Sequence, residues 1–445
     1  MRQRPRTASA ILLFALVVAA YSCSSPSGSE TPAGGQSIQP ADLQWQLLPG
    51  SSADGSLNYG SGGAFYPQLA VFDEKLYNTW YEQIDGLNRI RVAVWEEGAG
   101  SWRFVDGAAS TGLNRSDNLN ALWSRLVVHN SELYCYWHEE TAPEEWTIRA
   151  ARYDGNDSSP KWSYIDGNEA TGLRASGSTA AEYASLTSYA GNLYAAWRSA
   201  EGTAYQIRVS RFSGDFENPN WISVDPGTSG INFDPSVDAY YPKLHVHAGR
   251  LYAAWYERNG EARQLRVARY NGNDADPQWP MVDGGGQQGL NFSADRGARG
   301  PQLLTHSEKL YAVWYEREAP GRQQVRAAEY NGLDASPAWL LIDGATAGGL
   351  NREANTDGWW GRATSFGDHL YLAWAENDAE GYKVNLSAYD PVAGSWEAAE
   401  PATGFNRVPG SVAEYPHLAS SADTIYLTWS ERIGGTSKVF VRRGQ

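Results

Sequence analysis

Seven copies of a Leu/Ile-Tyr-x-x-Trp segment recur along the chain at nearly constant intervals. Successive tryptophans of this segment are separated by 57, 60, 58, 59, 60 and 55 residues. A fixed period of this size is typical of one supersecondary unit repeated many times, so the array has to be recognised before single motifs are interpreted. The repeated tryptophans are Trp80, Trp137, Trp197, Trp255, Trp314, Trp374 and Trp429.

Each repeat predicts four short strands, here named A to D in chain order. In the first repeat, apolar runs at 66–71, 76–82, 89–95 and 102–105 are separated by turn-forming residues. Four antiparallel strands in a unit of about 40–60 residues are typical of a β-propeller blade. A composition with 13% aromatic residues and 46 glycines agrees with many short strands and tight turns.

The two ends of the chain complete each other. A second tryptophan marks strand D of every repeat, and its first copy, Trp45, precedes any other strand. At the other end, residues 415–443 supply strands A, B and C and no strand D. We therefore predict an all-β, seven-bladed propeller of four-stranded blades over residues 44–445, closed by the N-terminal strand joining the C-terminal blade. The strand D tryptophans are Trp45, Trp102, Trp162, Trp221, Trp279, Trp339 and Trp396.

The N-terminus has the order of a secretory signal. Basic residues occur at 2–6, an apolar run too short to span a bilayer occupies 10–20, and Cys23 follows. The sequence Ala-Tyr-Ser-Cys that ends at Cys23 resembles a bacterial lipobox, which implies that this cysteine becomes the lipidated first residue. We expect a lipoprotein-type signal peptide at 1–23, with ordinary cleavage as the alternative, and a flexible Ser/Gly/Pro-rich tether at 24–43.

The charge balance narrows the range of partners. The formal net charge is −15, and loss of 1–23 leaves 33 basic against 51 acidic residues, or −18. Nucleic acids and anionic lipid surfaces are bound through clustered Lys and Arg, which this composition disfavours. We expect a monomer outside the cytoplasm that contacts a membrane only through a lipid anchor. Cys135 has the strand parity of its apolar neighbours, and we expect it to pack in the core.

Repeated aromatic, acidic and basic positions converge on one face of the predicted propeller, because strands of alternating direction bring the D–A and B–C loops there. Together they would bind sugar hydroxyls and stack on a sugar ring. Alternatively, we expect Glu82 to lie opposite Arg91 and Glu257 opposite Arg266, in which case each ion pair would only stabilise its hairpin and bind no ligand. The candidate rim residues are Tyr66, Glu82, Arg91, Trp123, Glu139, Trp146, Arg149, Tyr241, Glu257, Arg266, Glu316, Arg326 and Trp360.

A second set of positions lies deeper along strand A. Each lies two residues after an aromatic residue at the start of strand A, as in Tyr241-Pro242-Lys243; the positions are Arg125, Lys243, Arg362 and His417. If strand A is innermost, these side chains lie at the mouth of the central channel. They would bind an anion or an acidic sugar, or they would simply solvate a water-filled channel, which is the simpler interpretation.

Signatures of catalysis and of metal binding are weak. The chain has no nucleophile elbow, no zinc-protease motif and no phosphate loop, so no catalytic residue is assigned. Oxygen-bearing side chains at Asn271, Asn273 and Asp274 would suit calcium, although a hairpin turn explains them without a metal. No other cofactor is expected.

The repeat units carry a family resemblance. Residues 251–257 (Leu-Tyr-Ala-Ala-Trp-Tyr-Glu) and 264–270 (Gln-Leu-Arg-Val-Ala-Arg-Tyr) resemble tandem propeller repeats of bacterial cell-surface and exported proteins, over residues 44–443. The resemblance implies the fold and exposure outside the cell, and the Ile-Arg-Val step is similar to propeller lectins. We predict an extracytoplasmic module that binds glycan or another surface polymer. The alternatives are an extracellular glycosidase or lyase and a protein-interaction scaffold of the cell envelope.

Overall fold

The computed structural model describes residues 38–445, except for 108–109, 143–144, 168–170, 176, 228, 261, 318–320, 347, 354 and 379–380. The predicted signal peptide, the proposed lipidation position Cys23 and most of the predicted tether lie outside the described residues. Among the described residues, no helix has the length and apolar character needed to cross a bilayer.

The strands form seven antiparallel sheets whose order follows the chain, which confirms the predicted seven-bladed propeller. Blade 1 comprises Ala64–Phe72, Lys75–Ile84, Leu87–Glu96 and Ser101–Phe104. Blade 2 comprises Ala121–His129, Glu132–Ala142, Glu145–Tyr153 and Trp162–Tyr164. Blade 3 comprises Ala181–Tyr189, Asn192–Glu201, Ala204–Phe212 and Trp221–Ser223. Blade 4 comprises Ala239–His247, Arg250–Asn259 and Ala262–Arg269. Blade 5 comprises Ala298–His306, Lys309–Arg317, Gln323–Tyr330 and Trp339–Leu341. Blade 6 comprises Asp357–Phe366, His369–Asp378, Gly381–Asp390 and Ser395–Ala398. Blade 7 comprises Val412–Ser420, Ile425–Ile433, Thr436–Gly444 and Trp45–Leu47.

Blade 4 has three strands, and in the place of strand D it has a single bridge between Ala268 and Met281. The strand D tryptophan of this blade, Trp279, is nevertheless buried and donates its indole N–H to the Val224 carbonyl at 2.9 Å. The blade therefore keeps its outer contact with blade 3 even where the strand itself is reduced.

The ring closes through the N-terminal strand, as predicted. Trp45 and Leu47 pair with Gly444 and Arg442 in the last strand of blade 7. The Trp45 indole N–H donates to the Ala399 carbonyl of blade 6 at 3.1 Å. Because the first and last strands pair in one sheet, strand C of blade 7 has the outer partner that the C-terminal repeat itself lacks.

The core is divided into seven apolar clusters, each between two consecutive blades of the described chain. The strand B tryptophans lie inside these clusters and are at most 2% exposed. Each strand D tryptophan donates its indole N–H to a carbonyl of the preceding blade, such as Trp339 to Val282 at 2.9 Å. Both series are therefore wedges between blades. Cys135 is also fully buried, which confirms its predicted core packing.

The packed chain begins earlier than residue 44. Residues Pro40–Asp42 form a 3-10 helix, and Pro40 is buried. Ile38 and Leu43 pack against the cluster between blades 6 and 7. The last residues of the predicted tether therefore lie on the propeller itself, because their apolar side chains find a surface at the ring closure.

Candidate functional site

Every strand A contains a β-bulge at the same place. In blade 1 the register shifts between Phe65 and Gln68, so two residues of strand A oppose one residue of strand B. The first bulged residue has a left-handed backbone, with φ between 54° and 62° in all seven blades. These residues are Tyr66, Trp123, Tyr183, Tyr241, Gly300, Trp360 and Tyr415. A bulge re-aims a side chain, and here it turns six aromatic side chains toward the propeller axis.

The six aromatic residues form a contiguous collar around one pocket. Tyr66 and Tyr415 stack with ring centroids 3.6 Å apart and an interplanar angle of 26°. The other neighbouring centroid distances are Trp360–Tyr415 4.3 Å, Tyr66–Trp123 6.3 Å, Trp123–Tyr183 5.2 Å and Tyr183–Tyr241 4.0 Å. Each collar residue is half-buried, so part of every ring faces the pocket.

Blade 5 departs from the collar pattern. Gly300 occupies the bulge, and a Cβ added there would lie 2.5 Å from the ring of Tyr315. The ring of Tyr315, which comes from strand B of the same blade, therefore fills the space that the other blades give to a collar side chain. The fold accepts glycine at this bulge, which shows that an aromatic residue is not required for the backbone turn.

The pocket inside the collar has a volume of about 750 Å³, including its open mouth. Burial raises the pKa of Tyr415 to about 12 and that of Tyr66 still further, so their hydroxyl groups stay protonated and can donate hydrogen bonds. None of the described lining residues is Asp or Glu. The lining consists of Tyr66, Gln68, Trp123, Arg125, His138, Tyr183, Ala184, Tyr241, Lys243, Gly300, Tyr315, Trp360, Arg362, Tyr415 and Pro416.

Three cations lie beneath the collar, two residues further along strand A. Arg125 donates to the Gln68 side-chain carbonyl at 3.1 Å, and Arg362 donates to the Gly361 carbonyl at 2.8 Å. Lys243 has neither a hydrogen bond nor an ion pair with another described residue. His417 accepts the Leu69 backbone N–H on Nδ1 at 3.2 Å. The predicted channel-mouth residues thus converge as a cationic floor, which we define as Arg125, Lys243 and Arg362.

Burial and mutual repulsion perturb this floor. Burial, together with the charges of Arg125 and Arg362, holds the pKa of Lys243 well below its usual range. The pKa of Arg362 is lowered to about 10 by burial and by Arg125. Burial and the floor cations also lower the pKa of His417 well below its ordinary value, which keeps this imidazole neutral. With three basic side chains and no carboxylate among the described lining residues, the floor is nevertheless a basic site in an acidic protein.

The predicted rim carboxylates are buried and have structural partners. Glu316 accepts the backbone N–H groups of Phe292 at 3.0 Å and Ser293 at 2.8 Å, and the Trp314 indole N–H at 2.9 Å. Glu82, Glu139, Glu257, Glu376 and Glu431 make the same three kinds of bond. Each of these carboxylates therefore anchors the D–A loop that leads into its own blade.

The predicted Glu–Arg register is wrong by two residues. Glu82 lies opposite Arg89, and Arg91 lies opposite Trp80. The reason is the turn: Asp85 and Gly86 both have positive φ and form a two-residue hairpin loop, which sets the hairpin centre one residue earlier than expected. The same holds in blade 4, where Glu257 faces Gln264 and Arg266 faces Trp255.

The strand C arginines instead pair with the aspartate after strand D. Arg91 Nε lies 3.0 Å from Asp106, and both side chains are buried. The corresponding distances are Arg149–Asp166 3.0 Å, Arg266–Asp283 3.5 Å and Arg326–Asp343 3.1 Å. Looser contacts to Glu remain at 3.9 Å for Arg149–Glu139 and 3.6 Å for Arg266–Glu257. These ions are enclosed within their blades and do not line the pocket.

Two further predicted positions lie apart from the pocket. Trp146 pairs with Glu140 in the B–C hairpin of blade 2 and is not part of the pocket lining. The side-chain oxygen of Asn271 accepts the Asn273 N–H at 3.0 Å, as expected of a turn. Asp274 accepts hydrogen bonds from Tyr270 at 2.6 Å and from Arg211 at 2.6 Å, which tie neighbouring blades together.

Sequence reasoning missed Tyr183, because it is not followed by proline as Tyr66 and Tyr241 are, and it is not a tryptophan outside the two repeated series as Trp123 and Trp360 are. A constant sequence spacing would have identified it, because every bulged residue precedes the strand B tryptophan of its blade by fourteen positions, as Tyr183 precedes Trp197. His138 and Tyr315 were missed as well. Each directly follows a strand B tryptophan and lines the pocket. Strand alternation could have indicated this, because a residue next to a buried tryptophan points to the other face of its strand.

No protein-family model and no curated protein matches the chain. Among solved structures, polysaccharide lyase Uly1 matches with a TM-score of 0.51 and 9% identity, covering 87% of this chain and 90% of that one. GH43 endo-arabinanase from Bacillus licheniformis matches with a TM-score of 0.36 and 14% identity (63% and 98% covered), and Trypanosoma rangeli sialidase with 0.42 and 11% (89% and 57%). At these identities, the likeness to Uly1 shows the propeller fold alone.

Proposed function

We propose that this chain is an extracytoplasmic glycan-binding module whose site is the aromatic collar and the pocket within it. The observation that carries the proposal is the collar backbone. Six bulky aromatic residues occupy left-handed conformations, each of which costs about 1–2 kcal/mol for a residue with a Cβ. Backbone strain of this kind persists where it serves a functional site. Gly300 adopts the same backbone conformation in blade 5, so the fold itself does not need an aromatic side chain there.

The chemistry of the collar suits a saccharide. Half-buried aromatic faces can stack on the C–H surface of a sugar ring, and the tyrosine hydroxyls that line the pocket can hydrogen-bond its hydroxyl groups. The name of Uly1, a polysaccharide lyase of the same fold, is in keeping with a saccharide ligand.

Binding is favoured over the glycosidase alternative by the pocket lining. Glycoside hydrolysis ordinarily uses two carboxyl groups that flank the scissile bond, and the described lining contains none. A lyase keeps one supporting observation. The imidazole of His138 lines the pocket, and histidine is the side chain that most often serves as a general base.

A glycan array tests the proposal with two variants that each remove a half-buried indole. Trp360→Gly removes a collar ring and permits the left-handed backbone, whereas Trp146→Ala removes a ring outside the pocket. We expect Trp360→Gly to lose binding while Trp146→Ala retains it. Absence of binding to every glycan by the unaltered protein, or equal loss in both variants, would refute the collar as the site.

The same material distinguishes a binding module from an enzyme. Incubation of the protein with each bound polysaccharide, followed by measurement of reducing ends and of unsaturated products, should show no turnover. Release of products that stops in a His138→Ala variant would replace the binding proposal by the lyase alternative.

We also propose that Cys23 is lipidated and that the following Ser/Gly/Pro-rich segment holds the propeller away from a bacterial membrane. The lipobox-like sequence that ends at Cys23 supports this anchor. Cells expressing the full chain should incorporate a clickable fatty acid into it, and a Cys23→Ser variant should not. Equal labelling of both forms, or of neither, would refute the anchor.

A further inference from the structure

The cationic floor of the collar pocket has no counter-charge of its own. Arg125 and Arg362 are bonded only to neutral oxygens, and Lys243 has no hydrogen bond or ion pair with any other described residue. The charged groups that act on Lys243 are both cations. These three side chains are half-buried, and a charge that loses part of its hydration is normally offset by a partner of opposite sign.

The rest of the protein shows how unusual this floor is. The chain carries 51 acidic against 36 basic residues, yet the described pocket lining has three cations and no carboxylate. Elsewhere, buried arginines such as Arg91 and Arg326 each have an aspartate within 3.1 Å. The fold therefore pairs its structural cations and leaves the floor cations facing the pocket.

We infer that the floor recognises an anionic group, a carboxylate or a sulfate ester, on a saccharide whose ring stacks against the collar. This inference rests on the proposed glycan binding and narrows it to acidic saccharides. Guanidinium and ammonium donors form charge-assisted hydrogen bonds to such oxygens, and these bonds are stronger than those between neutral groups. An anion placed among the three cations also offsets their mutual repulsion.

The position of the floor relative to the collar fits one ligand with two parts. The collar residue and the floor residue of one blade, such as Tyr241 and Lys243, are two positions apart on strand A, and both line the pocket. A sugar held between collar rings can therefore direct its acidic substituent to the floor.

Calorimetry with charge-matched ligands tests the inference on the full mature chain. The probes are oligosaccharides of galacturonic acid, sulfated galactose and neutral galactose, with inorganic sulfate as the fourth arm. We expect an acidic oligosaccharide to bind at least about tenfold more tightly than the neutral one, with an affinity that falls as salt is raised. The carboxylate and sulfate arms identify which anionic group is preferred.

A lysine pair provides the matched control. Lys243→Met removes the floor charge at nearly constant side-chain length, and Lys309→Met removes an exposed lysine that pairs with Glu329. Lys243→Met should weaken binding of the acidic saccharide by about tenfold or more and binding of the neutral saccharide by much less. It should not lower the urea midpoint of the unliganded protein, since Lys243 is half-buried and makes no hydrogen bond or ion pair with another described residue. Lys309→Met should change neither affinity.

The outcomes separate the two proposals. Equal binding of neutral and acidic oligosaccharides, unaffected by Lys243→Met, would refute the anionic specificity and leave glycan binding intact. Binding of inorganic sulfate as tight as that of the acidic oligosaccharides would refute recognition of an acidic sugar. Absence of binding to every saccharide would overturn the proposed function and this inference with it.

Discussion

The collar predicts an unusual response to a tyrosine-to-glycine change. Tyr241 has φ of 54°, and its ring lies 4.0 Å from that of Tyr183. Tyr241→Gly releases about 1–2 kcal/mol of backbone strain. It loses about 1–2 kcal/mol of partial ring burial and about 0.5–1.5 kcal/mol of ring–ring contact. These contributions nearly offset each other, so the free energy of unfolding should fall by only about 1 kcal/mol.

The same substitution elsewhere in blade 4 should be far more damaging. Tyr252 lies in strand B, is 2% exposed and has no left-handed backbone to relieve. Tyr252→Gly removes a fully buried ring and places glycine in a strand, at a cost of about 4–6 kcal/mol. The free energies of unfolding of both variants can be compared by urea titration followed by tryptophan fluorescence.

The comparison can refute the strain argument. If Tyr241→Gly costs as much as Tyr252→Gly, the collar tyrosine is ordinary core packing and its backbone stores no useful strain. If the cost is small but glycan affinity is unchanged, the strain is real and the collar is not the binding site. Only a small stability change combined with lost binding agrees with the proposed role.

The remaining predictions concern the framework. Burial raises the pKa of Glu316, so between its ordinary pKa and its folded pKa the folded protein holds more protons than the unfolded chain. The free energy of unfolding should therefore fall as pH rises through that window, and it should fall less steeply in Glu316→Gln. Urea titration at a series of pH values measures both slopes. Asn291→Ala should cost about 2–4 kcal/mol by urea titration, because Asn291 accepts the Leu265 N–H and donates to the Arg263 and Arg296 carbonyls; a cost below 0.5 kcal/mol, that of an ordinary surface change, would contradict this role. Trp45→Ala should cost about 3–5 kcal/mol and speed amide exchange in Thr436–Gly444, since it removes the bond to Ala399 and the contact with Phe405; unchanged exchange there would argue against closure by this strand.

Much of the architecture could be derived from the sequence, because it depends on spacing. The strand B tryptophans recur at 55–60 residues, and this period sets the number of blades whatever the detailed geometry. Trp45 without a strand A and the last repeat without a strand D similarly required closure of the ring. The burial of both tryptophan series followed, since each blade must cover its neighbour with large apolar side chains.

Local details were less accessible. The register of the blade 1 hairpin depended on the Asp85-Gly86 loop, and a change of one residue in the turn centre moved Arg91 from Glu82 to Trp80. The repeated glutamates looked like a ligand-binding rim, because their sequence positions alternate correctly. Their true partners are backbone N–H groups in loops more than twenty residues away, which no local pattern reveals.

The site itself was decided by the tertiary structure. The sequence alone marked Tyr66, Trp123, Tyr241 and Trp360 as one set and Arg125, Lys243 and Arg362 as another, in segments about 60 or 120 residues apart. Only the closed ring brings seven strand A bulges to one axis, where the first set becomes a collar and the second its floor. Periodicity along the chain determined how many blades there are, and convergence in space decided what they hold at their centre.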